Sequence, residues 1–315
     1  MTAEYWLYLI IGLVIFNYLF STVLDFINGR NWRTEIPPVM KDFYHEDKYL
    51  KAKNYSKEKG KVSLISSTLS TLITLLFLIF NGYGWLDNFI AVYYTIPFLK
   101  SGIFFLVLFI LSDFISIPFS CYNTFVIEEK YGFNKTTVKT FVLDKIKGYL
   151  LTLIIGGVLL FGAIYIVSLL ENGFWVWLWV SLSFILLLVN MFYADLIVPI
   201  FNKLTPLETG TLRKKIESYT KKVGYSLKNI YIIDGSKRSS KANAFFSGIG
   251  PRKTIALYDT LIEKHTEEEL VAVLAHEVGH FKKKHVFTSL FLTIFQLGLM
   301  CFLLELCIKE TGISS

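Results

Sequence analysis

The sequence predicts a mainly α fold: a polytopic bundle of transmembrane helices with a small α+β domain inserted ahead of its last span. Three observations carry that expectation. Of 315 residues, 53% are hydrophobic, 17% aromatic and only 18% charged, and the mean hydropathy is positive. Soluble domains are less apolar and more charged. Several stretches also reach the roughly 20 mostly apolar residues that a membrane-crossing helix needs. Finally, the sizeable non-membrane block, residues 202–285, carries helix, strand and turn signals.

The expected spans, taken in order, are residues 5–28, 62–80, 98–119, 149–170, 174–200 and 286–307. The first lacks a basic start and a small-residue cleavage site, unlike a secretory leader. Its Tyr5, Trp6 and Tyr8 suit a membrane interface. Charge then orients the bundle. Residues 29–61 hold nine Lys or Arg, residues 121–147 hold five and residues 202–285 hold sixteen, whereas residues 81–98 and 171–173 hold none. With six spans every basic segment falls on one side, which the positive-inside rule makes cytoplasmic. The net charge of +7 is therefore read as topology. A nucleic-acid partner is not expected, because no compact basic-aromatic module is visible. Cys121, Cys301 and Cys307 lie in or beside apolar spans and read as small packing residues.

The domain organisation follows: residues 1–201 as a membrane domain of five helices with cytoplasmic loops 29–61 and 120–148, residues 202–285 as an α+β core, and residues 286–315 as a sixth helix and chain end. Within the core, residues 212–223 read as a helix with Leu212, Ile216 and Tyr219 on one side, stopped by Gly224. Residues 229–233 read as a buried strand. Residues 244–246 and 254–258 read as a hairpin joined through 248–251. The next helix is marked by Thr266, which can cap its N-terminus while Glu269 reaches back, as in a capping box. Its acidic first turn suits the helix dipole.

That helix carries His276-Glu277-Val278-Gly279-His280. Positions four apart share a helix face, so His276 and His280 can grip one Zn2+ ion, with Glu277 about 100° around the axis. This is the layout of a zinc-dependent peptide hydrolase. Glu277 is then the candidate general base, placed to take a proton from water and pass it to the leaving amine. Asn243 and Ala244, in the strand-like segment, are candidates for contact with a substrate backbone; ordinary hairpin structure is the alternative. A free strand edge there suits strand addition by a peptide. His285, five positions after His280 and on another helical face, reads as a surface histidine or as support for the ligands. Asp113 and Asp195, in or at the edge of apolar spans, should face a cavity, a partner or the interface.

Several separated segments together resemble one family, the integral-membrane CAAX prenyl endopeptidases. Residues 125–137 (FVIEEKYGFNKTT) are similar to its cytoplasmic loop motif, and residues 199–207 (PIFNKLTPL) to its entry into the protease domain. Residues 234–240 (DGSKRSS) with 243–248 (NAFFSG) resemble the segment before its catalytic helix, and residues 272–280 (AVLAHEVGH) its metal site. The resemblance implies a zinc metalloprotease that trims a C-terminal tripeptide after a prenylated cysteine, with peptide or protein substrates, a lipid bilayer around it and the protease domain facing the cytoplasm. Glu128 and Asn134 are expected to pack the loop motif against the protease block. Simpler relatives used in membrane-protein quality control share the metal site but carry fewer spans ahead of it, and that function stays open as an alternative.

The chain departs from the family pattern twice. Lys241 stands where the family usually has histidine. The resemblance also puts the third zinc ligand, a glutamate on a later helix, and a seventh span beyond Ser315. It thus implies a C-terminally truncated chain, for which an inactive fragment is a further alternative. Glu305 and Glu310 are poor replacements: along a helix Glu305 sits roughly 35 Å from His280 by the ~1.5 Å rise. Glu305 reads instead as a carboxylate near the outer interface or facing the bundle interior.

Overall fold

A computed structural model describes residues 3–32, 35–38, 41–42, 45–170, 172–225, 229–247 and 254–309. They form two compact units, residues 1–134 with 308–315 and residues 135–307. Among the described residues, six helical segments are long and apolar enough to cross a membrane, the number and order read from the sequence.

In the first unit, α1 (Ala3–Arg30), α2 (Glu46–Ile79), α3 (Gly82–Tyr93) and α4 (Pro97–Tyr122) follow one another, and α4 runs into a π-helical stretch, Asn123–Glu128. One finding corrects the sequence reading. Residues 46–61, expected as loop, are the polar first half of α2. Their Lys, Glu and Ala residues are good helix formers, so the polarity there marks a change of solvent and not the end of the helix. Residues 82–93, between two spans, are also helical. The loop motif then folds back on the polar half of α2. Glu128 accepts from the Tyr55 hydroxyl and, at 3.3 Å, from Lys59, while Tyr131 and Phe133 meet the Tyr55 ring edge-on. Asn134 donates to Glu129 at 3.0 Å. Glu128 and Asn134 thus help secure this loop within the first unit.

The second unit opens with α5 (Val138–Leu151), capped by Thr137, whose hydroxyl accepts from the Thr140 amide at 3.1 Å. A π-helical turn, Thr152–Gly156, leads into α6 (Gly157–Leu169). Next come α7 (Phe174–Phe192), a second π-helical turn at Tyr193–Ile197, and α8 (Val198–Phe201). The polar block holds β1 (Leu204–Pro206), α9 (Thr211–Lys222), β2 (Asn229–Ile233), β3 (Ala244–Ser247), β4 (Thr254–Tyr258), α10 (Asp259–Ile262) and α11 (Glu267–Lys282), and α12 (His285–Lys309) follows at once.

The strands order β1-β2-β4-β3, with β2 and β4 parallel and both outer pairings antiparallel. The expected hairpin is the β3–β4 pair; its connection at 248–251 lies outside the described residues. Strand β1 and helix α10 are too short for periodicity to reveal. Ile230, Ile255 and Leu257 from the sheet, Ile216 from α9 and Leu270 and Leu274 from α11 make one buried cluster. Each such side chain contributes about 1.5–3 kcal/mol when buried, enough to fix which face of α11 is turned inward.

Helices α7 and α12 interlock at one end. The Trp179 indole donates to the Ile294 carbonyl at 2.8 Å, and a β-carbon at Gly298 would lie only 3.0 Å from that ring. Beyond it, Trp175 meets Phe302 edge-on. Last, the carboxylate of Glu305, only 5% exposed, accepts from the amides of Gly173 and Trp175, each at 2.9 Å. These amides open α7 and have no partner within the helix, and the positive end of its dipole favours the charge. Glu305 therefore faces the bundle interior.

Candidate metal and peptide site

The site is built on α11. The expected capping box is present: the Thr266 hydroxyl accepts from the Glu269 amide at 3.3 Å, and Glu269 accepts from the Thr266 amide at 2.9 Å. That amide, and then His265, hold the Glu269 carboxyl below the usual glutamate range. Lys215 of α9 reaches Glu267 and Glu268 at 2.7 and 2.6 Å, which ties the first turn of α11 to α9.

With Leu270, Leu274 and Val278 buried at four-residue spacing, the opposite face of α11 is left to His276 and His280, and both are exposed. Their Nε2 atoms lie 3.1 Å apart, with ring centroids at 4.7 Å and planes at 76°. Two imidazole nitrogens bound to one tetrahedral zinc at ~2.0–2.1 Å stand roughly 3.3 Å apart. The separation of the pair is therefore close to what a shared zinc ion requires. Among the described residues no third His, Cys, Asp or Glu completes a metal-holding group with them. Glu310 lies outside the described residues, and Glu305 is engaged at the start of α7.

Glu277 and His280 line a cavity of about 460 Å³, together with His285, Val286, Ser289, Leu290 and Thr293 on α12 and Leu186 and Asn190 on α7. So α7 and α12, locked together near Glu305, form the wall beside the histidines. The same side of α7 continues to the sheet, where Tyr193 meets Phe245 of β3 edge-on, with centroids 6.2 Å apart.

Strand β3 is an edge strand. The Tyr258 amide donates to the Asn243 carbonyl at 3.1 Å. Bonding alternates along an antiparallel pair, so Ala244 and Phe246 turn their backbone groups outward, away from β4. Asn243 is exposed, and its side-chain oxygen accepts from the Ala244 amide at 2.9 Å. The two sequence candidates thus mark the start of the edge that no other strand pairs among the described residues, while His276, Glu277 and His280 gather on α11.

Sequence reasoning missed the supports of this edge. Arg238 grips Asp144 of α5 through two bonds at 2.7 and 2.8 Å and donates to the Phe201 carbonyl at 2.7 Å. The amide of Lys135 and the hydroxyl of Thr136 both donate to the Arg238 carbonyl at 3.0 Å. Asp234 accepts from the Lys203 amide at 2.8 Å and the Asn202 side chain at 3.0 Å. Much of the 234–240 motif is thus a clasp between the sheet and α5 and α8. The only hint in the sequence is an Asp and an Arg 94 positions apart. Lys241 lies on the loop entering β3, where its carbonyl accepts from Thr260 at 2.9 Å.

A set of membrane-length helices carrying a His-Glu-x-x-His helix against a small sheet is the architecture of an integral-membrane metallopeptidase. Residues 25–203 match the family described as CAAX prenyl protease N-terminal, five membrane helices, and residues 206–313 match peptidase family M48. The chain belongs to the CAAX prenyl protease family. It is 37% identical over 287 residues to the probable CAAX prenyl protease 1 of Schizosaccharomyces pombe, covering 86% of this chain and 59% of that one. It is 35% identical over 293 residues to CAAX prenyl protease 1 of Saccharomyces cerevisiae, covering 89% and 65%. The crystal structure of Ste24p from S. mikatae superposes with a TM-score of 0.90 at 32% identity, covering 98% of this chain and 74% of that one. The chain thus spans about 60% of the length of these curated relatives. The matched membrane-helix family and the six apolar helices make it a multi-pass membrane protein. Membership of a metallopeptidase family implies a metal cofactor.

Proposed function

We propose that this protein is a membrane-embedded, zinc-dependent endopeptidase that cleaves peptide bonds at the cytoplasmic side of its membrane. The observation that carries the reading is the 3.1 Å convergence of the His276 and His280 Nε2 atoms beside a cavity that Glu277 also lines. His276 and His280 hold one Zn2+ ion, and residues 202–285 act as the peptidase core between the membrane segments 1–201 and 286–315. When bound, the metal supplies Lewis acidity toward the scissile carbonyl and an acidified water. Glu277 takes the proton from the attacking water and returns it to the leaving amine nitrogen. The peptide lies along β3, where the outward carbonyl of Ala244 and the outward backbone groups of Phe246 pair with it as an added strand and Asn243 borders its path.

A prenylated C-terminus is the substrate class suggested by the relatives' names. Leu186, Val286 and Leu290, on helices long enough to cross the bilayer, give the cavity an apolar wall, in keeping with a lipid-modified peptide. The test compares hydrolysis of a farnesylated peptide and its unmodified counterpart by the protein as its gene encodes it, and by Glu277→Gln. The reading expects cleavage that favours the farnesylated peptide and disappears in E277Q, which keeps its zinc. Equal cleavage of both peptides would point to general membrane-protein quality control. Unchanged turnover in E277Q would remove Glu277 from the chemistry. One observation favours a second reading, an inactive membrane protein: among the described residues the histidine pair lacks a third ligand. Zinc-dependent hydrolysis by residues 1–315 would eliminate it.

A further inference from the structure

His285 stands outside the His-Glu-x-x-His motif, yet it closes on it. Helix α11 ends at Lys282, and Lys284 takes a left-handed conformation (φ 59°) before α12 starts at His285. That sharp break folds the first residue of α12 back over the last turn of α11. The Nδ1 atoms of His280 and His285 lie 2.8 Å apart, with ring centroids at 5.0 Å and planes at 67°. The contact uses the nitrogen of His280 that faces away from His276, since the Nε2 atoms are the pair that converge.

We propose that His285 is a positioning residue for the metal: its Nδ1 accepts the Nδ1–H of His280 and so keeps the His280 Nε2 lone pair aimed at the point shared with His276. The inference rests on the zinc-site reading above. A neutral imidazole carries its proton on one nitrogen, and the hydrogen bond at one nitrogen decides what the other can do. Metal-bound histidines nearly always donate their second N–H to a carboxylate, carbonyl or water, which sets ring orientation and basicity. Here a histidine accepts that bond. The same geometry keeps His285 from being a ligand, because it sits across the His280 ring from the shared point. It also links the metal site to α12, whose other end is held by Trp179 and by the amides that Glu305 accepts. The orientation of His280 is therefore set by a membrane helix as well as by α11.

The test measures the Zn2+ affinity of the detergent-solubilised chain by competition with a chromophoric chelator. It compares wild type, His285→Phe, His285→Asn and His276→Ala, with helicity by circular dichroism as the fold control. H285F keeps ring volume without an acceptor, whereas H285N restores an acceptor near the Nδ1 position. H285F is expected to weaken Zn2+ binding by ~10–100-fold at unchanged helicity, and H285N to regain most of the loss. Should H285F lose helicity, H285N is compared with His285→Ala, and the same ordering is expected. Wild-type affinity in the variants lacking the acceptor would overturn the orienting role while leaving the zinc site intact. A loss in H285F as complete as in H276A, with no recovery in H285N, would make His285 a ligand and overturn it too. A wild-type chain that binds no Zn2+ would overturn the site reading itself and this inference with it.

Discussion

At the scale of single residues, helical spacing did most of the work. His276 and His280 share a face because they are one turn apart, and Leu270, Leu274 and Val278 force that face outward by filling the opposite one. The shared face is a local fact, so the sequence alone revealed it, as it did the Thr266–Glu269 capping box; that this face turns outward emerges only from the packed core. For His285 the sequence offered a surface position or support for the ligands without deciding between them, because the contact needs the left-handed break at Lys284, a conformation uncommon outside glycine. Two predictions belong here. Replacing Thr266 by Ala should destabilise α11 by ~0.5–2 kcal/mol, read as a lower thermal midpoint of the solubilised chain. A variant that melts like wild type would show that the cap is idle. The Glu269 carboxyl is held below its ordinary range, so its share of the cap is complete above the normal glutamate pKa of about 4.3. It is lost as pH falls through the lowered folded value. The stability difference between wild type and Glu269→Gln should therefore shrink on acidification. A difference that grows toward low pH would contradict the assignment.

At the scale of elements, the spans were legible because lipid demands long apolar runs, but their ends were less so. Hydropathy marks where a helix leaves the bilayer, and α2 shows that the helix itself can begin sixteen residues earlier, at Glu46 rather than Val62. Contacts between distant elements left almost no trace. Glu305 meets Gly173 across 132 positions, and Arg238 meets Asp144 across 94. Nothing in either neighbourhood names the partner, because the pairing exists only once the helices are packed. Each is expected to matter. Glu305→Ala leaves two opening amides of α7 without their acceptor, a cost of roughly 1–3 kcal/mol per buried group, so the thermal midpoint should fall and α7 should loosen from α12. Gly298→Leu should do the same by pushing on the Trp179 ring. Wild-type midpoints in both variants would rule out the interlock. For the clasp on the sheet, the side chains of Arg238 and Asp144 are 23% and 24% exposed. Breaking the two-bond pair with Asp144→Asn should cost about 1.5–3 kcal/mol. Arg238→Lys should lose part of that, since an ammonium cannot reproduce the fork. A double-mutant cycle with no coupling between the two positions would contradict the clasp.

For the whole molecule, the proposed function puts the peptidase core on the cytoplasmic side of the membrane. On the proposed topology the basic segments, among them the five basic residues of α9, face the cytoplasm, and residues 172–173 face away from it. A single cysteine at Asn172 and another at Lys222, in a background without native cysteines, should react with a membrane-impermeant reagent from opposite sides of sealed vesicles. Labelling of both from one side would undo the topology and the cytoplasmic placement of the site. The most direct check on the central claim is the metal content of the gently purified protein, by mass spectrometry, for wild type, Glu277→Gln and the double variant His276→Ala/His280→Ala. The account predicts one zinc per chain in the first two and none in the third. A metal-free wild type, or a double variant that keeps its zinc, would contradict it.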